Sequence, residues 1–262
     1  RDLAGGDDNE RADEDGWVSS DDGSGALPDD AVNGATPAPD VDDERVLAAV
    51  RTARSQAEAG DASAAFATIE AALAKDAGSP LLHLERGQLG LVVGLDEAEV
   101  ERSLVFARDG LPENPRAHFA LAAFDEGRGR VDDARRGYER TLAIRAEHGD
   151  ANLRLGRMHL AAGSMGPARV HLEQAARAMP SSIPAQLALA DVAERAGDLP
   201  GAERALLVIV NAHPSVPSHR QRLIAFYRRT GQAERERDAL RALERIAPKD
   251  ERKLRDLKRS SK

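Results

Sequence analysis

The side chains in this sequence that could do chemistry are seven histidines, 45 carboxylates and some hydroxyls, and there is no cysteine. Without a thiol, the sequence offers no disulfide, no thiolate nucleophile and no zinc–sulfur site. It contains no H-E-x-x-H zinc helix and no G-x4-G-K-[ST] phosphate loop, and Gly127-x-Gly129 lacks the third glycine and the preceding strand of a dinucleotide site. The sequence therefore predicts no catalytic residue, no cofactor and no metal, in a protein that is not an enzyme.

Two histidines, His159 and His171, are the pair closest to a ligand arrangement, because the spacing described below places them in one helix pair. Two imidazoles could bind a transition metal. Ordinary, partly exposed histidines need no ligand, and we favour that interpretation. The carboxylates lie mostly on polar helix faces or in the N-terminal segment, so a glycosidase-type pair cannot be argued.

Charge is divided between the two ends of the chain. Residues 1–45 hold fifteen acids and three arginines, whereas residues 218–262 hold fifteen basic residues and seven acids. Residues 1–43 are rich in Asp, Gly, Ser and Pro without a periodic apolar pattern, so we predict a disordered segment. Its Trp17 is interpreted as solvated, or as the anchor of a short motif. The acidic segment could mask the basic C-terminal face, although we favour two independently solvated surfaces.

No apolar run approaches the roughly 20 residues of a membrane helix. The first residue is Arg1 rather than Met, so we expect a processed product or a fragment, and the compartment stays open. Only five of the 37 basic residues are lysine, a bias typical of high-GC bacterial genomes.

The elements that position these side chains follow from a repeat of 34 residues. Four glycines recur at that step: Gly129, Gly163, Gly197 and Gly231. Other columns keep the same phase: Leu121, Leu155, Leu189 and Leu223; Ala122, Gly156 and Ala190; Ala134, Ala168 and Ala202; Pro180, Pro214 and Pro248. Each column has a physical reason. Small residues let two antiparallel helices approach closely, a glycine adopts the left-handed turn after the first helix, and a proline stops the second helix.

These columns resemble the tetratricopeptide repeat (TPR), a helix–turn–helix unit of 34 residues. We place six repeats at residues 46–79, 80–114, 115–148, 149–182, 183–216 and 217–250. The second repeat carries one extra residue around 95–100. The sixth has Glu236 where Ala is expected, which suits a terminal repeat with a solvent-exposed side. Residues 251–262 would form a basic cap or tail. No repeat has the Trp of the family pattern; its position holds His83, His118, Asn152, Gln186 and Arg220.

The resemblance implies an all-α, right-handed superhelical solenoid whose first helices line a concave groove. Carried over by position, the groove residues are Leu84, Gln88, Leu91, Phe119, Ala123, Glu126, Leu153, Arg157, Leu160, Leu187, Asp191, Glu194, Gln221, Ala225, Arg228 and Arg229. The groove would be apolar in the middle and Arg-rich at one end. Such a row suits a partner helix or an extended peptide of another protein. TPR co-chaperones that bind the C-terminal tails of chaperones have an Asn at the ninth residue of the first helix. No repeat here has that Asn, so we argue against this subtype.

We predict a protein-binding scaffold, of which an assembly factor of a bacterial envelope or secretion complex is one version. An alternative is binding of an anionic surface or nucleic acid by the basic C-terminal repeat. The interleaved acids and the scarcity of stacking aromatics weigh against it. A further alternative is a regulatory module of an enzyme whose catalytic domain lies outside this sequence.

Overall fold

The computed structural model describes residues 41–246, which form twelve α-helices and no strand. Residues 1–40 of the acidic segment predicted at 1–43, and the predicted cap at residues 251–262, lie outside these residues, whereas residues 41–43 belong to the first helix. The helices are α1 (Val41–Glu58), α2 (Ala62–Leu73), α3 (Pro80–Val93), α4 (Glu97–Gly110), α5 (Pro115–Gly127), α6 (Val131–Ile144), α7 (Gly149–Ala161), α8 (Met165–Ala178), α9 (Ile183–Arg195), α10 (Leu199–Ala212), α11 (Pro217–Arg229) and α12 (Ala233–Ile246). The all-α solenoid of six helix pairs is confirmed, and α1 begins five residues before the first predicted repeat.

The turn inside each helix pair is built on a left-handed glycine. These glycines are Gly60, Gly94, Gly129, Gly163, Gly197 and Gly231, with φ between 70° and 85°. In each turn, the N–H after the glycine donates to the carbonyl five residues earlier, over 2.8–2.9 Å. This hydrogen bond defines a Schellman motif, and only glycine adopts its positive φ without steric cost. Four of these glycines belong to the sequence column described above, and Gly60 and Gly94 lie outside it.

The extra residue of the second repeat lies in this turn. α4 begins three residues after Gly94, whereas the second helix of every other described pair begins two residues after its glycine. Asp96 caps α4 by accepting from the amides of Ala98 and Glu99. Leu95 folds back against Gly90, so the insertion is absorbed by the core. The insertion was therefore located correctly from the broken phase.

The small-residue columns hold the two helices of a pair together. Ala134, Ala168 and Ala202 are fully buried. A Cβ on Gly156 would lie 2.6 Å from Leu172 Cδ2, so α7 and α8 approach too closely for a larger side chain. The buried apolar clusters are shared between consecutive pairs; one of them joins Leu84 and Leu104 to Leu121 of the next repeat. Stability of this kind depends on nearest neighbours along the solenoid.

The column where the family pattern has Trp is a column of hydrogen-bond donors. Four side chains there reach the carbonyl six residues earlier, in the loop that enters the helix: His83 to Ala77 O (3.0 Å), His118 to Pro112 O (2.9 Å), Asn152 to Ala146 O (2.9 Å) and Gln186 to Pro180 O (3.1 Å). Because the acceptor is a carbonyl, each histidine Nε2 must carry the proton. In these four repeats, donors of three residue types therefore fasten the loop between two repeats, whereas Arg220 Nε in the sixth repeat has no hydrogen-bond partner among the described residues.

Candidate partner-binding groove

The first helices of successive repeats form the inner surface of the solenoid. α1 contacts α3, α3 contacts α5 and α7 contacts α9, whereas successive second helices contact each other less. The solenoid is therefore narrower on the side of the first helices. The residues that α1, α3, α5, α7, α9 and α11 present on this inner surface are named the first-helix face. The predicted groove residues all lie on these helices.

Three predicted groove residues are not accessible. Leu84 is 0% exposed, Leu153 7% and Leu160 8%. Leu84 packs with Ala117 and other residues of α5, and the two leucines of α7 pack in the cluster that includes α9. Adjacent first helices lie close enough to cover these side chains, so the expectation that they face a partner is wrong. The apolar middle of the predicted groove is largely interior.

Other predicted groove residues are partly accessible. Phe119 stacks on His148, with ring centroids 4.8 Å apart, and tilts against Tyr138 at 5.4 Å. Leu187 packs against the C-terminal cluster. Gln88, Ala123, Gln221 and Ala225 are also half-buried. The large apolar side chains most exposed on this face are Leu91, at 44%, and its neighbour Val92, at 60%. The accessible apolar surface therefore lies at the C-terminal end of α3 rather than in the middle of the predicted groove.

The predicted Arg-rich end is largely neutralised by carboxylates. Arg229 makes a bidentate pair with Glu194 at 3.0 and 2.9 Å, and Arg228 Nη2 lies 2.8 Å from Glu236. Glu236 is 8% exposed, so it is a buried partner of Arg228 and not the solvent-facing residue of a terminal repeat. The free basic surface expected at Arg228 and Arg229 is therefore absent from the described residues. This weakens the case for binding of an anionic surface.

The central stretch of the face has a single predicted cation without such a partner. Asp191 pairs with Arg195 at 2.9 Å, and Glu126 accepts from Tyr138 at 2.6 Å with Arg154 at 3.5 Å. Burial and the hydrogen bond to that carboxylate raise the pKa of Tyr138. Arg157 is exposed and has no ion-pair partner within residues 41–246.

An ion-pair network that the sequence interpretation missed crosses three first helices. Glu85 of α3 is buried, and its Oε1 accepts from Arg54 of α1 at 2.7 Å and from Arg116 of α5 at 3.1 Å. Arg116 also donates to Gln88 at 3.0 Å. Burial raises the pKa of the Glu85 carboxyl, and the positive charge of Arg54 offsets part of that effect. The sequence does place these opposite charges 31 residues apart, about one repeat, and this spacing could have predicted the two ion pairs.

The two histidines weighed as a metal pair do meet. The rings of His159 and His171 stack with centroids 5.5 Å apart, and His171 Nδ1 hydrogen-bonds Asn152 Oδ1 at 3.0 Å. Burial, followed by the repulsion of His159, lowers the pKa of His171. No cluster of three or more metal-ligating side chains occurs among the described residues. In the same part of the chain, no helix is long and apolar enough to cross a membrane.

Several solved structures share this arrangement of helices. No family model and no curated protein matches the sequence. PilW, described as a widely conserved type IV pilus biogenesis factor, matches 79% of this chain and 95% of its own with a TM-score of 0.64 at 21% identity. PilF of Pseudomonas aeruginosa matches 80% and 95% with 0.66 at 15% identity. YrrB, described as a TPR protein with an unusual peptide-binding site, matches 70% and 93% with 0.57 at 14% identity.

This chain has the tetratricopeptide-repeat fold. The resemblance drawn from the glycine, alanine and leucine columns is therefore confirmed, with six TPR helix pairs in residues 41–246. At these identities the likeness concerns the fold. These neighbours do not identify the residues that a partner would contact, so those residues must be inferred from the side chains of this chain.

Proposed function

We propose that this TPR protein is a non-enzymatic scaffold that binds a helix or an extended peptide of another protein along the first-helix face. The observation that carries the proposal is the accessible part of that face. It offers apolar Leu91 and Val92 in the second repeat and a cation without a carboxylate, Arg157, in the fourth. Apolar anchors on an accessible face are typical of helix-in-groove recognition, and Arg157 could add a charge contact further along the face. YrrB, of the same fold, is described as having a peptide-binding site.

A more specific form of the proposal is an assembly factor of a bacterial envelope or secretion complex. PilW, which shares the fold over 79% of this chain, is described as a pilus biogenesis factor. The strong preference for Arg over Lys is typical of high-GC bacteria. Such complexes assemble from many chains, and a solenoid offers an extended surface to bind one of them.

Site-specific photocrosslinking in cells tests the face. A benzophenone amino acid is placed at Val92 and at Arg157, and in matched controls at Val170 of α8 and Arg136 of α6, whose side chains are also exposed but lie on second helices. We expect one protein to be crosslinked from the two first-helix positions and from neither control. Equal crosslinking from all four positions, or none from Val92 and Arg157, would refute the assignment of the face.

A further inference from the structure

In several repeats the second helix of the preceding repeat meets both helices of the next, and side chains either fill the space between the three helices or leave a notch there. In the second repeat this notch is filled by Arg86, which reaches Glu70 at 2.6 Å, Glu99 at 2.9 Å and Ser103 at 2.9 Å. In the fourth repeat it is filled by the stacked rings of His159 and His171. Both fillings come from this chain's own side chains.

The notch of the fifth repeat, between α8, α9 and α10, is empty of such side chains. Ala193 and Ala205 stand there, each 34 residues after His159 and His171. The result is an open cavity of about 330 Å³ whose apolar wall includes Leu189 and Val208. Ala193 and Ala205 are 4% and 3% exposed, so they form the floor of this cavity, where the preceding repeat has two rings. An apolar cavity of about 150 Å³ is enough to hold benzene, so this one has room for an indole or a phenol.

The rim of the cavity is positively charged. Arg169 is neutralised by Glu173 at 2.7 Å and Asp198 at 3.2 Å. Arg177 contacts only the neutral Gln174, and Arg204 is exposed; neither has a carboxylate partner within residues 41–246. A ligand that places a ring on the apolar wall would bring its flanking groups to these two guanidinium groups. Carboxylates are the groups they bind most strongly.

We propose that the fifth-repeat notch is a second interaction site that receives an aromatic side chain flanked by carboxylates in a segment of a partner protein. The ring takes the place that His159 and His171 occupy one repeat earlier, and the carboxylates pair with Arg177 and Arg204. Buried aromatic anchors and Arg contacts carry much of the binding energy at protein interfaces. The residues of α9 that line this site are not among the predicted groove residues of that helix, so the site is distinct from the predicted groove.

Isotope-edited NMR of the whole chain with short synthetic peptides tests the proposal. The probes are acetyl-Gly-Asp-Trp-Glu-Gly-amide, the same peptide with Ala for Trp, and the same peptide with Lys on both sides of Trp. We expect the first peptide to shift the amides of Ala193, Ala205 and Val208 with a dissociation constant near 1 mM, and the other two to bind at least tenfold more weakly. Binding of free indole as tight as that of the first peptide would overturn the carboxylate requirement.

Two variants close the cavity by different routes. The double variant Ala193→His/Ala205→His introduces the two rings of the fourth repeat, and Val208→Phe adds a ring at an exposed position. If one variant does not fold, the other still tests the site. Each should raise the dissociation constant at least tenfold, and Arg204→Ala several-fold. The control Ala71→Phe, at the equivalent exposed position of α2, should leave it unchanged. Binding that resists both closing variants, or shifts only around Tyr227 and Ala239, would refute the site.

Discussion

Gly156 offers the most direct test of the packing that holds a TPR pair together. It lies in the middle of α7, where alanine is favoured over glycine by about 1 kcal/mol in an isolated helix. Here the added Cβ would lie 2.6 Å from Cγ and Cδ2 of Leu172 and 3.2 Å from its backbone nitrogen. Carbon atoms in good contact are about 3.5–4.0 Å apart. Leu172 is fully buried, so it has no solvent-filled space into which to move.

Overpacking of this kind costs about 1–3 kcal/mol, so Gly156→Ala should destabilise the chain by about 1–2 kcal/mol after the gain in helix propensity. Urea unfolding followed by circular dichroism measures the shift. The control is Gly127→Ala near the end of α5, where a Cβ meets no atom within 4 Å. That substitution should stabilise the chain by about 0.5 kcal/mol.

A double-mutant cycle then separates steric conflict from other causes. Leu172→Ala alone should cost about 2–5 kcal/mol because it leaves a cavity. In the double variant the methyl group that replaces the Gly156 hydrogen takes up part of that cavity. The two changes should therefore be non-additive by at least about 1 kcal/mol in the favourable direction. If Gly156→Ala unfolds at the same urea concentration as the parent, or at a higher one, the close approach of α7 and α8 is not what requires a small residue.

Three further outcomes follow from contacts described above. Glu85→Ala should cost about 1–3 kcal/mol, because it leaves two partly buried arginines unpaired, whereas Glu97→Ala at an exposed pair should cost less than about 0.5 kcal/mol in the same urea assay. Gly94→Ala should cost about 1–2 kcal/mol because of its φ of 76°. The lowered pKa of His171 means that the unfolded chain binds its proton first. Stability should therefore fall as pH drops below about 6.5, and His171→Phe should flatten that fall in urea titrations between pH 5 and 7. An unchanged pH slope would contradict the lowered pKa of His171.

Much of the fold could be predicted because each repeat restates the same local rules. The left-handed glycines, the buried alanines and the insertion near Leu95 are short-range features, so one chain shows them several times in phase. Asp61 and Asp198 each follow a turn glycine directly, and each caps the next helix by accepting from the backbone amide three residues later at 2.9 Å. Pro180 and Pro214 follow the ends of α8 and α10 by two residues, as their helix-stopping role requires.

The accessible groove could not be predicted in the same way, because exposure depends on residues of two different repeats. Leu84 is covered by α5, so its own position in the repeat does not decide whether a partner could reach it. From the sequence, Leu153 is a predicted groove residue, so Leu153→Glu would be a natural test of partner binding. Because Leu153 is buried, this substitution would place a carboxylate in the core, and a loss of binding would report unfolding. The ion pairs were more accessible to prediction. Arg54–Glu85 and Arg229–Glu194 join opposite charges 31 and 35 residues apart, close to the repeat length.

The column without Trp connects the fold to the second proposed site. The sequence showed that the indole was missing, and the structure shows that the donors in its place need only reach one loop carbonyl. A side chain chosen for one hydrogen bond does not have to fill the volume of an indole. Gln186 lines the open cavity of about 330 Å³ in the fifth repeat, and Arg220, for which no loop hydrogen bond is found within residues 41–246, lines one of about 320 Å³ in the sixth. In the fourth repeat the imidazole pair occupies the corresponding space, so the same loop anchor is compatible with a filled or an open notch. The residue in the Trp column therefore does not decide whether a notch is open; the side chains at the positions of His159 and His171 differ between the filled and the open notch.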